Sequence, residues 1–208
     1  MKNILITIFL ISFFSCSSPT EQPSNIVLKP KAIIPAKKQA YKLKEVFVKW
    51  TAFKHMTKAQ VGGKFDSVFV EGFKESPMIK EAISGITFKI PVNSTNTGDK
   101  VRDYKIVNSF FNTLSNTDFI TGSITSIESN GTGVLTLKMN EMEIQKNFKW
   151  EFDDSNRDFF LKTSIDVLNW NAKGALDALN DVCLEQHTGP DGTNKLWPNV
   201  DIVVFASL

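Results

Sequence analysis

The sequence predicts a mainly β protein, an antiparallel β-barrel of about eight strands that carries two short α-helical inserts. Three observations predict this class. Many short segments alternate apolar and polar residues with the period of a half-buried strand. Clusters of turn-forming residues at 129–131, 153–156 and 188–192 separate these segments. Two stretches instead repeat apolar residues at helical spacing. A barrel removes exposed edge strands, although an open β-sandwich fits the same pattern.

The strand segments follow one another along most of the chain. In the first, Val46, Val48, Trp50 and Ala52 share a wholly apolar face, while the residues between them are mixed. Further strands are expected at 61–70, 86–92, 119–128, 133–139, 143–152, 159–167 and 200–207. The helical spacing is carried by Val101, Tyr104, Val107, Phe111 and Leu114, and later by Ala172, Ala175, Leu176, Leu179, Val182 and Cys183.

Composition excludes several classes of function. Of the 208 residues, 42% are hydrophobic and 22% are charged, which is enough apolar material to bury a core. A net charge of only +2 without a basic cluster argues against a nucleic-acid partner. Two Cys and two His, each far from its like, leave little material for a metal site, so neither a metal nor a cofactor is expected.

The N-terminus predicts export and lipidation. Residues 1–15 combine an early Lys with an apolar run too short for a comfortable membrane span, as in a signal peptide. The run stops at Phe13-Phe14-Ser15-Cys16, which resembles a bacterial lipobox, so Cys16 is the expected lipidation site. The alternative is an ordinary signal peptide that leaves Cys16 as a spare thiol. Ser17 in place of Asp favours the outer membrane over the inner one, which predicts a periplasmic protein held by a lipid anchor.

Pro, Ser and Lys then dominate without hydrophobic periodicity. We expect a flexible tether over residues 16–42 and one folded domain over residues 43–208.

Two groups of residues invite a functional role but have a structural explanation. Asp99, Arg102 and Asp103 suit either the polar end of a ligand or the start of a helix, where Asp is favoured, and we prefer the second. Cys183 lies on the apolar stripe of a predicted helix, where a buried and inert thiol is the ordinary finding.

A hydrolase or isomerase is the weakest alternative. His55 and His187 offer acid–base groups, but no sequence feature places them together, and a surface or hydrogen-bonded loop histidine is the simpler interpretation. A group of carboxylates around one hairpin favours a solvated face over a catalytic pair; it comprises Glu141, Glu143, Glu151, Asp153 and Asp154.

A series of short motifs runs in a fixed order through the domain. Trp50-Thr-Ala-Phe-Lys54 precedes Val61-Gly-Gly-Lys-Phe65, Asn93-Ser-Thr-Asn-Thr-Gly98 with Arg102-Asp103, Phe110-Phe111 and finally Trp197-Pro-Asn-Val-Asp-Ile-Val-Val. From about Lys44 to the C-terminus this series resembles the YceI-like family of polyisoprenoid-binding proteins. The resemblance implies a lipocalin-like barrel with an elongated apolar tunnel that holds an isoprenoid or another amphipathic lipid, without catalysis.

Strand alternation shows which residues share a face, but not whether the space they enclose is open. A filled barrel, acting as a structural or interaction lipoprotein with a protein partner, would enclose less than about 300 Å³. Composition favours that filled core, whereas the family resemblance favours the tunnel; oligomeric state is not predicted. The candidate ligand-contacting residues are Val48, Trp50, Phe65, Phe88, Ile90, Phe110, Phe111, Ile124, Leu137, Phe148, Trp150 and Leu161.

Overall fold

The computed structural model describes residues 38–208, and in this range the prediction of a mainly antiparallel β protein is confirmed. The strands are β1 (Glu45–Lys54), β2 (Ala59–Phe65), β3 (Phe69–Glu71), β4 (Thr87–Pro91), β5 (Thr95–Asn96), β6 (Phe119–Ile127), β7 (Thr132–Met139), β8 (Met142–Asp153), β9 (Asp158–Asp166) and β10 (Leu196–Ser207). The α-helices are α1 (Ile79–Ile83), α2 (Lys100–Ser109), α3 (Lys173–Val182) and α4 (Leu184–His187). The predicted signal peptide, Cys16 and most of the predicted tether lie outside the described residues.

All ten strands form a single sheet in the order β3-β4-β6-β7-β8-β9-β10-β1-β2-β5. The two ends of this order are built from the same two chain segments, because β2 continues into β3 and β4 continues into β5. Between these strands the backbone N–H of Asp66 donates to the carbonyl of Ser94 at 2.8 Å. The sheet therefore curls until its ends meet, which gives the lipocalin-like barrel that the sequence predicts.

The structure has two strands more than the expected count of about eight, because the predicted strand 61–70 divides into β2 and β3 and the short β5 lies beyond the predicted strand 86–92. The backbone turns at Val92–Ser94, where the Ser94 hydroxyl donates to the Pro91 carbonyl at 2.7 Å and the Thr95 hydroxyl donates to the Val92 carbonyl at 2.8 Å. Such local side-chain bonds compete with ladder pairing. They separate the two-residue β5 from β4, and a similar bend after Phe65 separates the three-residue β3 from β2.

The two predicted helices are present as α2 and α3, and α1 and α4 are additional. With five and four residues, α1 and α4 are too short to produce a periodic pattern. The predicted buried face of α2 is partly wrong: Val101 and Tyr104 are 67% and 68% exposed, whereas Asp103 is buried. Asp103 accepts hydrogen bonds from the backbone N–H and the hydroxyl of Thr97, both at 2.7 Å, which satisfy the buried carboxylate, and Ile106 is the apolar residue of α2 that lines the cavity.

Three helices gather at one end of the barrel, which we call the helix end: α2, α3 and α4. Their attachment to each other and to β1 is direct. The ammonium group of Lys105 in α2 donates to the carbonyl of Val182 in α3 at 2.8 Å, and that of Lys54 at the end of β1 donates to the carbonyl of Gln186 in α4 at 2.8 Å. No helix among residues 38–208 combines the length and apolar character needed to cross a bilayer.

The opposite end, which we call the tail end, holds Tyr41 and the C-terminal Leu208, each 1% exposed. The Tyr41 hydroxyl donates to Asp154 Oδ1 at 2.5 Å, and the Lys38 ammonium lies 2.7 Å from Asp154 Oδ2. These two hydrogen bonds lower the pKa of the Asp154 carboxyl below its usual value. Residues 38–42, which the sequence assigns to the flexible tether, are therefore packed against the domain.

Candidate functional site

An apolar cavity of about 270 Å³ lies inside the barrel. Its wall comes from all four α-helices and from every strand except β5 and β8. Along β1 the wall extends from Val46 to Phe53, which corresponds to about 23 Å at the usual strand rise per residue. Because so small a volume extends over this length, the cavity is narrow and elongated.

Ten of the twelve candidate residues lie on the wall of this cavity. They come from six different strands and from the segment after α2, so only the fold brings them together. Their contact with a ligand remains a prediction. The ten are Val48, Trp50, Phe65, Phe88, Ile90, Phe110, Phe111, Ile124, Leu137 and Leu161.

Phe148 and Trp150, the two candidates on β8, do not line the cavity. Phe148 is 2% exposed, and its ring lies over Gly133, which has no side chain to exclude it. The indole N–H of Trp150 donates to the carbonyls of Glu128 and Thr132 at 3.1 and 3.0 Å. Both side chains therefore fill space near the β6–β7 turn and do not border the open cavity.

Trp50 lies on the wall because its cross-strand partner is a glycine. Trp50 in β1 pairs with Gly63 in β2, and a Cβ atom built on Gly63 would lie 2.2 Å from Trp50 Cζ2. The indole ring thus occupies the place of the missing side chain, a common pairing of an aromatic residue with a glycine across strands.

Few polar side chains reach the cavity. Among its lining residues only Arg102, Thr163 and His187 carry strongly polar groups. The Arg102 side chain is 44% exposed and lies 3.6 Å from Asp99, so Arg102 marks a place where the cavity meets solvent. Asp99 itself caps α2 by accepting from the backbone N–H groups of Val101 and Arg102, which confirms the structural role predicted for it.

His187 lies in α4 and is buried, with 8% of its surface exposed. Its Nδ1 atom is 2.9 Å from Asn180 Oδ1. Desolvation, aided by electrostatic repulsion from Lys54, His55 and Lys105, lowers the pKa of His187 to about 4. The ring is therefore neutral at neutral pH.

The two histidines lie in one corner of the fold, which the sequence did not indicate. His55 Nε2 is 3.0 Å from the carbonyl of Gln186, the residue before His187. Cys183 is buried, as predicted, but it also lines the cavity one helical turn before His187. The sequence contained one signal that Cys183 and His187 share a surface: they are four residues apart, a spacing that places two residues on one face of a helix.

Other lining residues escaped the sequence analysis for local reasons. Phe53 belongs to the outward face of β1 by strict alternation, but a register shift between Ala52 and Lys54 in the pairing with β10 interrupts the pattern. Trp197 is the second residue of β10 and lies three positions before the predicted start of that strand at residue 200.

The groups suggested for catalysis or metal binding lie elsewhere or are dispersed. None of the five hairpin carboxylates lines the cavity, and all are exposed; they are Glu141, Glu143, Glu151, Asp153 and Asp154. Within residues 38–208 no group of three or more His, Cys, Asp and Glu side chains is arranged to hold a metal ion.

Comparison with known proteins agrees with this architecture. The model of the YceI-like domain matches residues 35–201. A polyisoprenoid-binding domain from Saccharophagus degradans, implicated in plant cell wall breakdown, superimposes with a TM-score of 0.55 at 14% identity, over 82% of this chain and 98% of that one. BcnA from Burkholderia cenocepacia gives a TM-score of 0.53 at 12% identity, over 79% and 98% of the two chains. Among curated proteins none matches the sequence. Because the family model covers most of its length, the chain belongs to the YceI-like family.

Proposed function

We propose that the domain binds and carries one isoprenoid or other amphipathic lipid chain inside the barrel, without catalysis. The observation that carries this proposal is the continuous apolar wall, which runs for about 23 Å along β1 and is joined by most of the other strands. The polyisoprenoid binding named for the Saccharophagus degradans domain supports the same ligand class.

The energetics favour long chains. Burial of a methylene contributes about 0.8 kcal/mol, so ten carbons supply about 8 kcal/mol. The loss of translational and rotational freedom costs about 4–15 kcal/mol. Short chains therefore bind weakly, and affinity should rise with chain length until the wall is fully covered.

The volume supports a second candidate, a filled barrel that acts as a structural or interaction protein. The cavity of about 270 Å³ lies slightly below the volume of about 300 Å³ at which ligand pockets usually begin. In that alternative the interior binds no ligand, and function depends on an outer surface of the domain.

Native mass spectrometry distinguishes the two candidates. Protein purified without detergent, or delipidated and then offered prenyl alcohols of increasing length, should gain the mass of one chain. The ligand should be recovered chemically unchanged. A homogeneous apo mass and no uptake at any length would refute lipid carriage and favour the filled barrel.

A matched pair of variants on β1 locates the binding. Ala52 lines the cavity and Lys49 points to solvent, so Ala52→Phe should block uptake while Lys49→Phe leaves it unchanged. Equal uptake by both variants would place any bound lipid outside the barrel.

We also propose that acylated Cys16 anchors the protein in the periplasm, at the outer membrane. The short apolar run before Cys16 and Ser17 after it support this assignment. A diacylglycerol group together with an amide-linked chain gives stable attachment, unlike a single acyl chain. Cys16→Ser should release a folded, soluble domain and abolish labelling by a tagged fatty acid. Equal labelling of both proteins, or a wild type that is already soluble, would contradict the anchor.

A further inference from the structure

His187 is a polar residue of the cavity wall, and its hydrogen-bond partners determine which of its two ring nitrogens carries the proton. Its Nδ1 atom is engaged with Asn180, and this is the one side-chain hydrogen bond that His187 makes within residues 38–208, so Nε2 is left open to the cavity that the ring borders. The ring borders the apolar cavity at the helix end. Which nitrogen carries the proton therefore decides what the wall offers to a ligand.

A chain of hydrogen bonds fixes the tautomer. It starts at the backbone carbonyl of Leu184, which can only accept, so the Asn194 side chain must donate to it through Nδ2, at 3.1 Å. Asn194 Oδ1 then faces Asn180 and accepts from its Nδ2. This leaves Asn180 Oδ1 facing His187 Nδ1 at 2.9 Å. Because a carbonyl oxygen cannot donate, Nδ1 of His187 carries the proton.

A neutral imidazole has one N–H group, so Nε2 carries a free lone pair. The nearby ammonium groups of Lys54 and Lys105 donate to backbone carbonyls instead of to Nε2. The helix-end wall residues Leu176, Leu179 and Cys183 are apolar or weakly polar. When a chain fills the cavity, this acceptor is either desolvated without a partner or paired with the ligand.

We propose that Nε2 of His187 accepts a hydrogen bond from the polar end of the bound lipid, so that the cavity favours a hydroxyl end group, as in a prenyl alcohol or a phenol. The same chain without a donor should bind less tightly. This inference rests on the proposed lipid binding and adds the chemistry of the end group.

The test compares geranylgeraniol with its methyl ether, which keeps the chain and removes the donor. The wild type should bind the alcohol about five- to tenfold more tightly, the ratio expected for one net hydrogen bond. In His187→Leu this ratio should fall to about one while the ether keeps its affinity within twofold. His55→Asn is the matched control: it removes the other imidazole of this corner, Asn tolerates the φ of 60° at this position, and the wild-type ratio should persist.

Equal binding of alcohol and ether by the wild type would overturn the inference and leave lipid carriage intact. Binding of neither would overturn both. A second measurement does not depend on how the variants fold. In wild-type protein labelled with ¹⁵N-histidine, His187 should show an unprotonated Nε2 whose resonance moves when the alcohol, but not the ether, is added. A proton on Nε2 in the ligand-free protein, or an unmoved resonance with alcohol bound, would overturn the assignment.

Discussion

Replacement of Gly63 by alanine should disturb the cavity wall through Trp50. The new Cβ atom would lie 2.2 Å from Cζ2, 2.5 Å from Cε2 and 2.9 Å from Cη2 of the indole. To restore an ordinary contact of 3.4 Å, the ring must move by about 1.2 Å, and because the two residues pair on the cavity face it moves into the cavity. Overpacking of this kind costs about 1–3 kcal/mol. For a domain of this size, a loss of stability of about 2 kcal/mol lowers the Tm by roughly 4–8 °C.

The neighbouring glycine provides the control. In Gly62→Ala the nearest atom would be the Trp50 carbonyl oxygen at 3.8 Å, an ordinary contact. Both substitutions reduce the entropy of the unfolded chain equally, so their difference isolates the effect on the ring. Urea unfolding followed by tryptophan fluorescence gives the stability, and prenyl alcohol titration gives the affinity. Gly63→Ala should be less stable and bind more weakly than Gly62→Ala. Indistinguishable stability and affinity would refute the claim that Gly63 positions Trp50.

Three further perturbations follow from the packing and the charges. Folding lowers the pKa of His187 from an ordinary 6.5 to about 4, so the unfolded chain takes up a proton at a higher pH than the folded chain does. The free energy of unfolding should therefore drop by about 3 kcal/mol as the pH decreases through the window between 6.5 and about 4. Urea titrations across the window should show this slope, and His187→Asn should remove it. Tyr41→Phe loses the hydrogen bond to Asp154 and should cost about 1 kcal/mol in the same assay at neutral pH, with an unchanged value refuting its role. Gly122→Ala places a Cβ atom 2.1 Å from the Thr136 carbonyl oxygen, so calorimetry should show a loss of about 3 kcal/mol or failure to fold; near-wild-type stability would exclude this close approach.

The strands and most of the cavity wall were predictable because alternation is a local property. Val48 and Trp50 face inward simply because the chain is extended and one face is apolar. The sequence could not show that Phe148 packs over Gly133, since that depends on a neighbouring strand with room for the ring. Alternation also placed Phe47 on the opposite face of β1, and in the structure it stacks on Phe205 at 6.0 Å, with neither ring lining the cavity.

The helix end was harder to predict because its geometry depends on long-range contacts. Apolar spacing placed Val101 and Tyr104 on the buried face of α2, but both are exposed, and the buried Asp103 is held by two hydrogen bonds from Thr97 instead. His187 acquires its polar role only when α4 packs against the cavity and its Nδ1 meets Asn180. No local pattern in the sequence reports such a contact.

The position of Lys38 shows at which end of the barrel the preceding chain enters the domain. Lys38 and Tyr41 are held at the tail end by Asp154, whereas Arg102 marks solvent access at the helix end. Any attachment that acts through the chain before Lys38 therefore pulls on the end of the barrel that is remote from Arg102. A lipid that entered or left beside Arg102 would therefore be exchanged at the end of the domain that faces away from the surface to which the protein is attached. When the attachment is fully extended, this geometry would favour delivery of the lipid to a second surface that lies opposite the first.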